Sequence, residues 1–130
     1  MTIKEVSEKF GISQDTLRYY ERVGLIPPVT RTPSGNRDYQ ESDLGWVELA
    51  ICMRSAGLPI EALIEYVKLY QQGDATFAAR LQLLQEQRES LEEQKTQLEK
   101  AINKLKYKTS RYEIAVQTGK LTWEDNGKCI

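Results

Sequence analysis

Arg18, Tyr19 and Arg22 fall on one side of a short helix when successive residues are set 100° apart, and Asp15 is the only acid beside them. Arginine pairs bidentately with guanine or salt-bridges a phosphate, and a tyrosine hydroxyl bonds the phosphate backbone, so this set suits a helix lying in a DNA major groove. A merely solvated helix face would carry the same charges, and the residues alone leave both readings open. Arg31, Arg37 and Tyr39 follow around a Pro33-Ser34-Gly35 turn, where strand alternation places Arg37 and Tyr39 on the same side. A plain loop is the alternative there. Residues 9–37 hold five basic side chains against two acids, and residues 38–77 hold two against seven. The chain-wide net charge of -1 thus conceals a basic N-terminal third, where an anionic partner would dock.

Other chemistry finds little support. There is no histidine among the 130 residues, which removes the commonest general base and metal ligand. No phosphate-binding glycine loop can be assembled, so neither an enzyme, a cofactor nor a metal site is expected. Cys52 and Cys129 are too far apart for a metal knuckle or a CxxC motif, and two cysteines are too few for a disulfide scaffold. A sensing thiol needs exposure and a nearby cation or helix N-terminus. Glu48 lies one turn before Cys52 and Ser55 three residues after it, so position alone favours a small thiol packed in a helix core. Cys129 is expected to be exposed. With no 18-residue apolar run and no leader-like segment, the expectation is a cytoplasmic protein without a membrane partner.

The elements that must position these residues are legible from caps and breakers. Thr2 and Glu5 form a capping-box pattern, Ile3, Val6 and Phe10 share a face, and Gly11 supplies a stop. Ser13 caps a second helix, Gln14 to about Val23, with Ser13, Thr16, Leu17 and Tyr20 inward. Two short helices joined by a tight glycine-containing turn predict a helix-turn-helix, and a short β-hairpin over about 29–40 would be its wing. Ser42 is placed to cap a third helix to about Ala56, and Pro59 to open a fourth that ends at Gly73.

From Ala75 to Gln117 there is neither Gly nor Pro, and Leu84, Leu91, Leu98, Leu105 and Tyr112 recur every seven residues. The companion core positions are Leu81, Arg88, Lys95, Ile102 and Thr109. A helix of this length, roughly 60 Å at 1.5 Å per residue, has nothing in its own chain to pack on. A coiled-coil homodimer is therefore expected, seamed by Leu81, Leu84, Leu91, Leu98, Ile102, Leu105 and Tyr112. The predicted division is a DNA-binding domain over 1–73, a dimerisation helix over 74–117, and a tail over 118–130 with Leu121 and Trp123 tucked against the dimer.

The strings LRYYERVGLIPP (Leu17 to Pro28) and SGNRDYQESDL (Ser34 to Leu44), then SAGLPIEAL and a long terminal helix, resemble the MerR family of bacterial transcription regulators over about residues 1–112. The resemblance implies a mainly α fold, with a winged helix-turn-helix on an antiparallel coiled coil. It implies that Ser13, Gln14, Thr16, Arg18, Tyr19, Tyr20 and Arg22 on the recognition helix, and Arg31, Arg37 and Tyr39 on the wing, meet double-stranded promoter DNA. It further implies that a homodimer distorts that DNA so that RNA polymerase can engage the promoter. The chain departs from metal-sensing members, since 75–79 has no cysteine, and is too short for the appended drug-binding domain. Placement of Cys52 resembles the subgroup that responds to aldehydes and nitrosative stress, which implies effector sensing by that thiol. An architectural DNA-binding factor without effector, or a coiled-coil interaction protein, stands as the alternative.

Overall fold

The computed structural model describes residues 1–123, so Cys129 and most of the tail lie outside the described residues. The elements run α1 (Ile3–Phe10), α2 (Gln14–Val23), α3 (Glu41–Ser55), α4 (Ile60–Gln71), one 3₁₀ turn (Asp74–Thr76) and α5 (Phe77–Thr118). The described residues form two compact units, which divide between Gln87 and Arg88.

In the first unit, α1 starts where Thr2 Oγ1 accepts the Glu5 N–H at 3.2 Å and Glu5 Oε1 accepts the Thr2 N–H at 3.0 Å. Gly11, at φ 67°, ends α1 in the left-handed region that costs glycine nothing. Val6 and Leu17, from α1 and α2, are fully buried with Ile26, Val29, Tyr39, Val47 and Ala50 in one cluster. Trp46 of α3 packs edge-on against Tyr70 of α4, with centroids 4.9 Å apart, and tilts against Tyr66 at 6.0 Å. The cap of α3 differs from expectation. Gln40, not Ser42, is its N-cap, and the Gln40 N–H donates to Asp43 Oδ2 at 2.9 Å.

The expected β-hairpin shrinks to one antiparallel bridge, Arg31 to Arg37, with no strand among the described residues. The chain does reverse here: the Asp38 N–H donates to the Thr30 carbonyl at 2.7 Å and the Thr32 N–H to Asn36 at 2.8 Å. A longer ladder is blocked because the flanking donors are taken. The Val29 N–H goes to Glu21, the Thr30 N–H to Asp43 and the Tyr39 N–H to the Met1 carbonyl.

Between α4 and α5, Arg80 reaches back to close the corner. Its Nε donates to Thr76 Oγ1 and its Nη2 to the Gly73 carbonyl, both at 2.9 Å, while its guanidinium lies over the Tyr70 and Phe77 rings.

The second unit is the remainder of α5 and a reversal at Gly119 (φ 76°). There Trp123 lies 6.0 Å from both the Tyr107 and Tyr112 rings, and Arg111 Nε donates to the Thr122 carbonyl at 2.7 Å. Trp123 thus packs on its own helix, while Leu121 is exposed. No residue of α5 is buried. Leu91 is half-buried, whereas Leu81, Leu84, Leu98, Ile102, Leu105 and Tyr112 are exposed.

Candidate nucleic-acid interface

The α2 face is fixed at both ends. Ser13 Oγ accepts the Thr16 N–H at 3.0 Å and shares a 2.8 Å hydrogen bond with Thr16 Oγ1, and Gly24 at φ 87° stops the helix. Burial of Leu17 then sets the rotation, turning Arg18 and Arg22 to solvent. Arg18 Nη1 donates to Asp15 Oδ1 at 3.0 Å and Nη2 to Gln14 Oε1 at 3.4 Å, so three side chains form one polar cluster on the first turns. Arg22 sits over the half-buried Tyr19 ring, 5.5 Å from its centroid. Tyr20 turns inward and packs on the core.

Arg31 and Arg37 face each other across the bridge, a like-charge pair that would ordinarily repel. Glu21, from the last turn of α2, lies between them. Arg37 Nε donates to Glu21 Oε1 at 2.8 Å, Arg31 Nη2 to both oxygens at 3.3 Å, and the Val29 N–H to Oε2 at 2.8 Å. The carboxylate is only 12% exposed. That burial pushes its pKa up, but the Val29 and Arg37 hydrogen bonds and the two arginine charges outweigh it, holding the group below the ordinary glutamate value. Glu21 therefore ties helix to loop and was missed from sequence, where it counted only as an acid in a basic stretch. Asp43, nearly buried, plays a similar part for the Thr30 and Gln40 N–H groups.

Tyr39 requires correction. It is 1% exposed and belongs to the core, so its ring is not presented on the surface, although the Arg37 charge still acts on its phenol. Its backbone carries the reason: the Tyr39 N–H donates to the Met1 carbonyl at 2.8 Å and its carbonyl accepts from the Met1 amino group at 2.9 Å, drawing the residue under α1. Burial raises its phenol pKa, and the hydroxyl has no hydrogen-bond partner among the described residues.

Cys52 is exposed, contrary to the core placement that position alone favoured. Among the described residues no group of three or more Cys, Asp or Glu side chains could hold a metal ion, and no helix is long and apolar enough to cross a membrane.

Residues 1–69 match the model of MerR HTH family regulatory proteins, and residues 45–107 match the MerR DNA-binding model. This chain belongs to the MerR family. The HTH-type transcriptional regulator AdhR of Bacillus subtilis is 56% identical over 91 residues, 70% of this chain and 65% of AdhR. A MerR family transcriptional regulator of Listeria monocytogenes has a solved structure with TM-score 0.88 and 44% identity, covering 92% of this chain and 90% of that one. HiNmlR, a MerR family regulator lacking the sensor domain, was solved bound to promoter DNA. It matches with TM-score 0.79 and 33% identity over 91% of this chain and 94% of that one. The present MerR protein is accordingly a helix-turn-helix transcription regulator with a DNA-binding domain, related to the AdhR and NmlR type, and it shares their mainly helical fold with a long C-terminal helix.

Proposed function

We propose that this regulator works in the cytoplasm as a homodimer that binds and distorts double-stranded promoter DNA for RNA polymerase. Residues 1–73 form the DNA-binding part and 74–117 the dimerisation helix, paired antiparallel through Leu81, Leu84, Leu91, Leu98, Ile102, Leu105 and Tyr112. Gln14, Thr16, Arg18, Tyr19 and Arg22 face the groove, while Ser13 and Tyr20 hold the helix that presents them. Arg31 and Arg37 act as the wing on the adjoining backbone. The observation that carries this reading is the Glu21 clamp, which joins the arginine-bearing loop to the exposed arginine face of α2. Such a two-part cationic surface stabilises a deformed duplex through phosphate contacts on either side of the groove.

The exposed Cys52 thiol supports the effector part. Its sulfur adds to the carbonyl carbon of an aldehyde, the carbonyl oxygen takes a proton, and a hemithioacetal results without any oxidant. Run-off transcription from the promoter nearest its gene tests both parts. Aldehyde-dependent activation is expected with the native protein and is lost in Cys52→Ser. Equal binding to upstream DNA and random duplex at moderate salt would overturn the reading.

A further inference from the structure

The positive charges of α5 are paired in its first half and unpaired in its second. Arg88 Nε donates to Glu92 Oε1 at 3.0 Å and Lys95 Nζ lies 3.9 Å from Glu99 Oε1, each pair four residues apart. Lys100, Lys104 and Lys108 have no acid three or four residues away in either direction, and none of the three is in an ion pair among the described residues. They recur every fourth residue, with Arg111 on the same face, so one acid-free basic row runs along about 16 Å of helix. Lys100 and Lys104 are exposed and Lys108 is half-buried. In the heptad, Lys100, Lys104 and Arg111 stand away from the apolar seam and Lys108 flanks it, so pairing of the seam leaves the row open. Lysines four residues apart repel, which disfavours the helix unless an anion lies along them. Arg111 is already engaged by the Thr122 carbonyl, which leaves the three lysines to meet that anion.

Resting on the reading that this regulator binds promoter DNA, we propose that the row binds the phosphate backbone of that DNA beyond the operator, adding affinity indifferent to base sequence. Chemistry and magnitude select the partner. A lysine ammonium is a compact point charge without the fork that reads a base edge or grips a carboxylate through two bonds. An exposed lysine paired with a protein carboxylate gains little, because water and salt screen it. A lysine on duplex DNA also releases a counterion condensed there, and that gain adds up along a row. Successive lysines are about 6 Å apart along the helix, close to the separation of neighbouring phosphates on one strand. Once the helix-turn-helix holds the operator, flanking phosphates are presented at high effective concentration, so weak contacts suffice. Earlier on the same face stand Glu86, Glu89 and Glu93, which repel phosphate and confine the contact to the part of α5 from Lys100 onward.

The test is fluorescence anisotropy with the full chain on two duplexes, the upstream operator trimmed to its footprint and the same operator carrying random sequence on both sides. Lys100→Gln, Lys104→Gln and Lys108→Gln together remove the charge and keep good helix formers. On the flanked duplex the plot of log K against log salt should become shallower by about 2.7 for each protomer in contact, at about 0.9 per phosphate lost. The native advantage over the variant should then shrink roughly fortyfold per protomer between about 50 and 200 mM salt. On the trimmed operator the two proteins should bind alike, and the corresponding triple arginine variant should match the native protein on both duplexes. An unchanged slope on the flanked duplex overturns the proposal, and a fall in run-off transcription alongside it would give the row to an acidic protein instead. A loss of equal size on the trimmed operator, or one that arginine does not restore, assigns the lysines to the fold and overturns the proposal as well. Native protein that binds operator and random duplex equally overturns the reading on which it rests.

Discussion

Replacing Glu21 by glutamine tests whether the clamp holds the arginine-bearing loop on α2. Glutamine keeps the shape but offers one acceptor oxygen, so it cannot serve Val29, Arg31 and Arg37 together. Each charge-assisted bond that becomes neutral or is lost costs about 1 kcal/mol. Arg31, 43% exposed, contributes less than Arg37 because water screens it. With the renewed repulsion between the two arginines, the loss at pH 7 should be about 2 kcal/mol, which moves a urea midpoint by about 1 M at fixed protein concentration. Acid provides the second arm. Because the folded-state pKa lies below the ordinary value of 4.5, the carboxylate stabilises the fold above that pH and loses this contribution as pH falls through the folded value. The native protein and Glu21→Gln should therefore differ most near neutrality and converge on acidification below 4.5. An unchanged urea midpoint at pH 7, or a gap that persists undiminished in acid, would refute the clamp.

Ser13→Ala removes the α2 cap and should cost about 1 kcal/mol in urea unfolding. Tyr39→Phe deletes a buried hydroxyl that has no partner among the described residues while keeping the ring, and should leave stability equal or up to about 1 kcal/mol higher. A measured loss there would show that the hydroxyl is satisfied. Arg22→Ala should weaken binding to operator and random duplex alike, roughly fivefold by fluorescence anisotropy. A loss confined to the operator would instead assign Arg22 to base reading.

Local signals carried most of the fold. The Thr2 and Glu5 box, the Ser13 cap and the glycines at 11 and 24 each act within a few residues, and the heptad of α5 repeats along one element. What sequence left hidden is non-local. Glu21 finds its arginines 10 and 16 residues away, a pairing that no helical or strand period encodes. Alternation placed Arg37 and Tyr39 on one side of a strand, but the shortness of the bridged segment and the Met1 bonds put Tyr39 inside. Ser42 lost the α3 cap to Gln40 because Asp43 is positioned by Thr30, 13 residues earlier. Cys52 could pass for a core thiol because α3 is apolar over much of its circumference, and only the packing of α4 decides which arc is covered.

The Arg80 corner also bears on how chains of this plan can change in length. One residue inserted between Gly73 and Thr76 would carry the Gly73 carbonyl away from Arg80, whose bond to Thr76 within the same helical turn would survive, so this junction should tolerate little insertion or deletion. Farther along α5 a change of seven residues keeps its apolar stripe nearly in phase and alters the helix by about 10 Å. Length differences among related chains should therefore come in whole heptads within the helix, leaving the corner before it invariant in length.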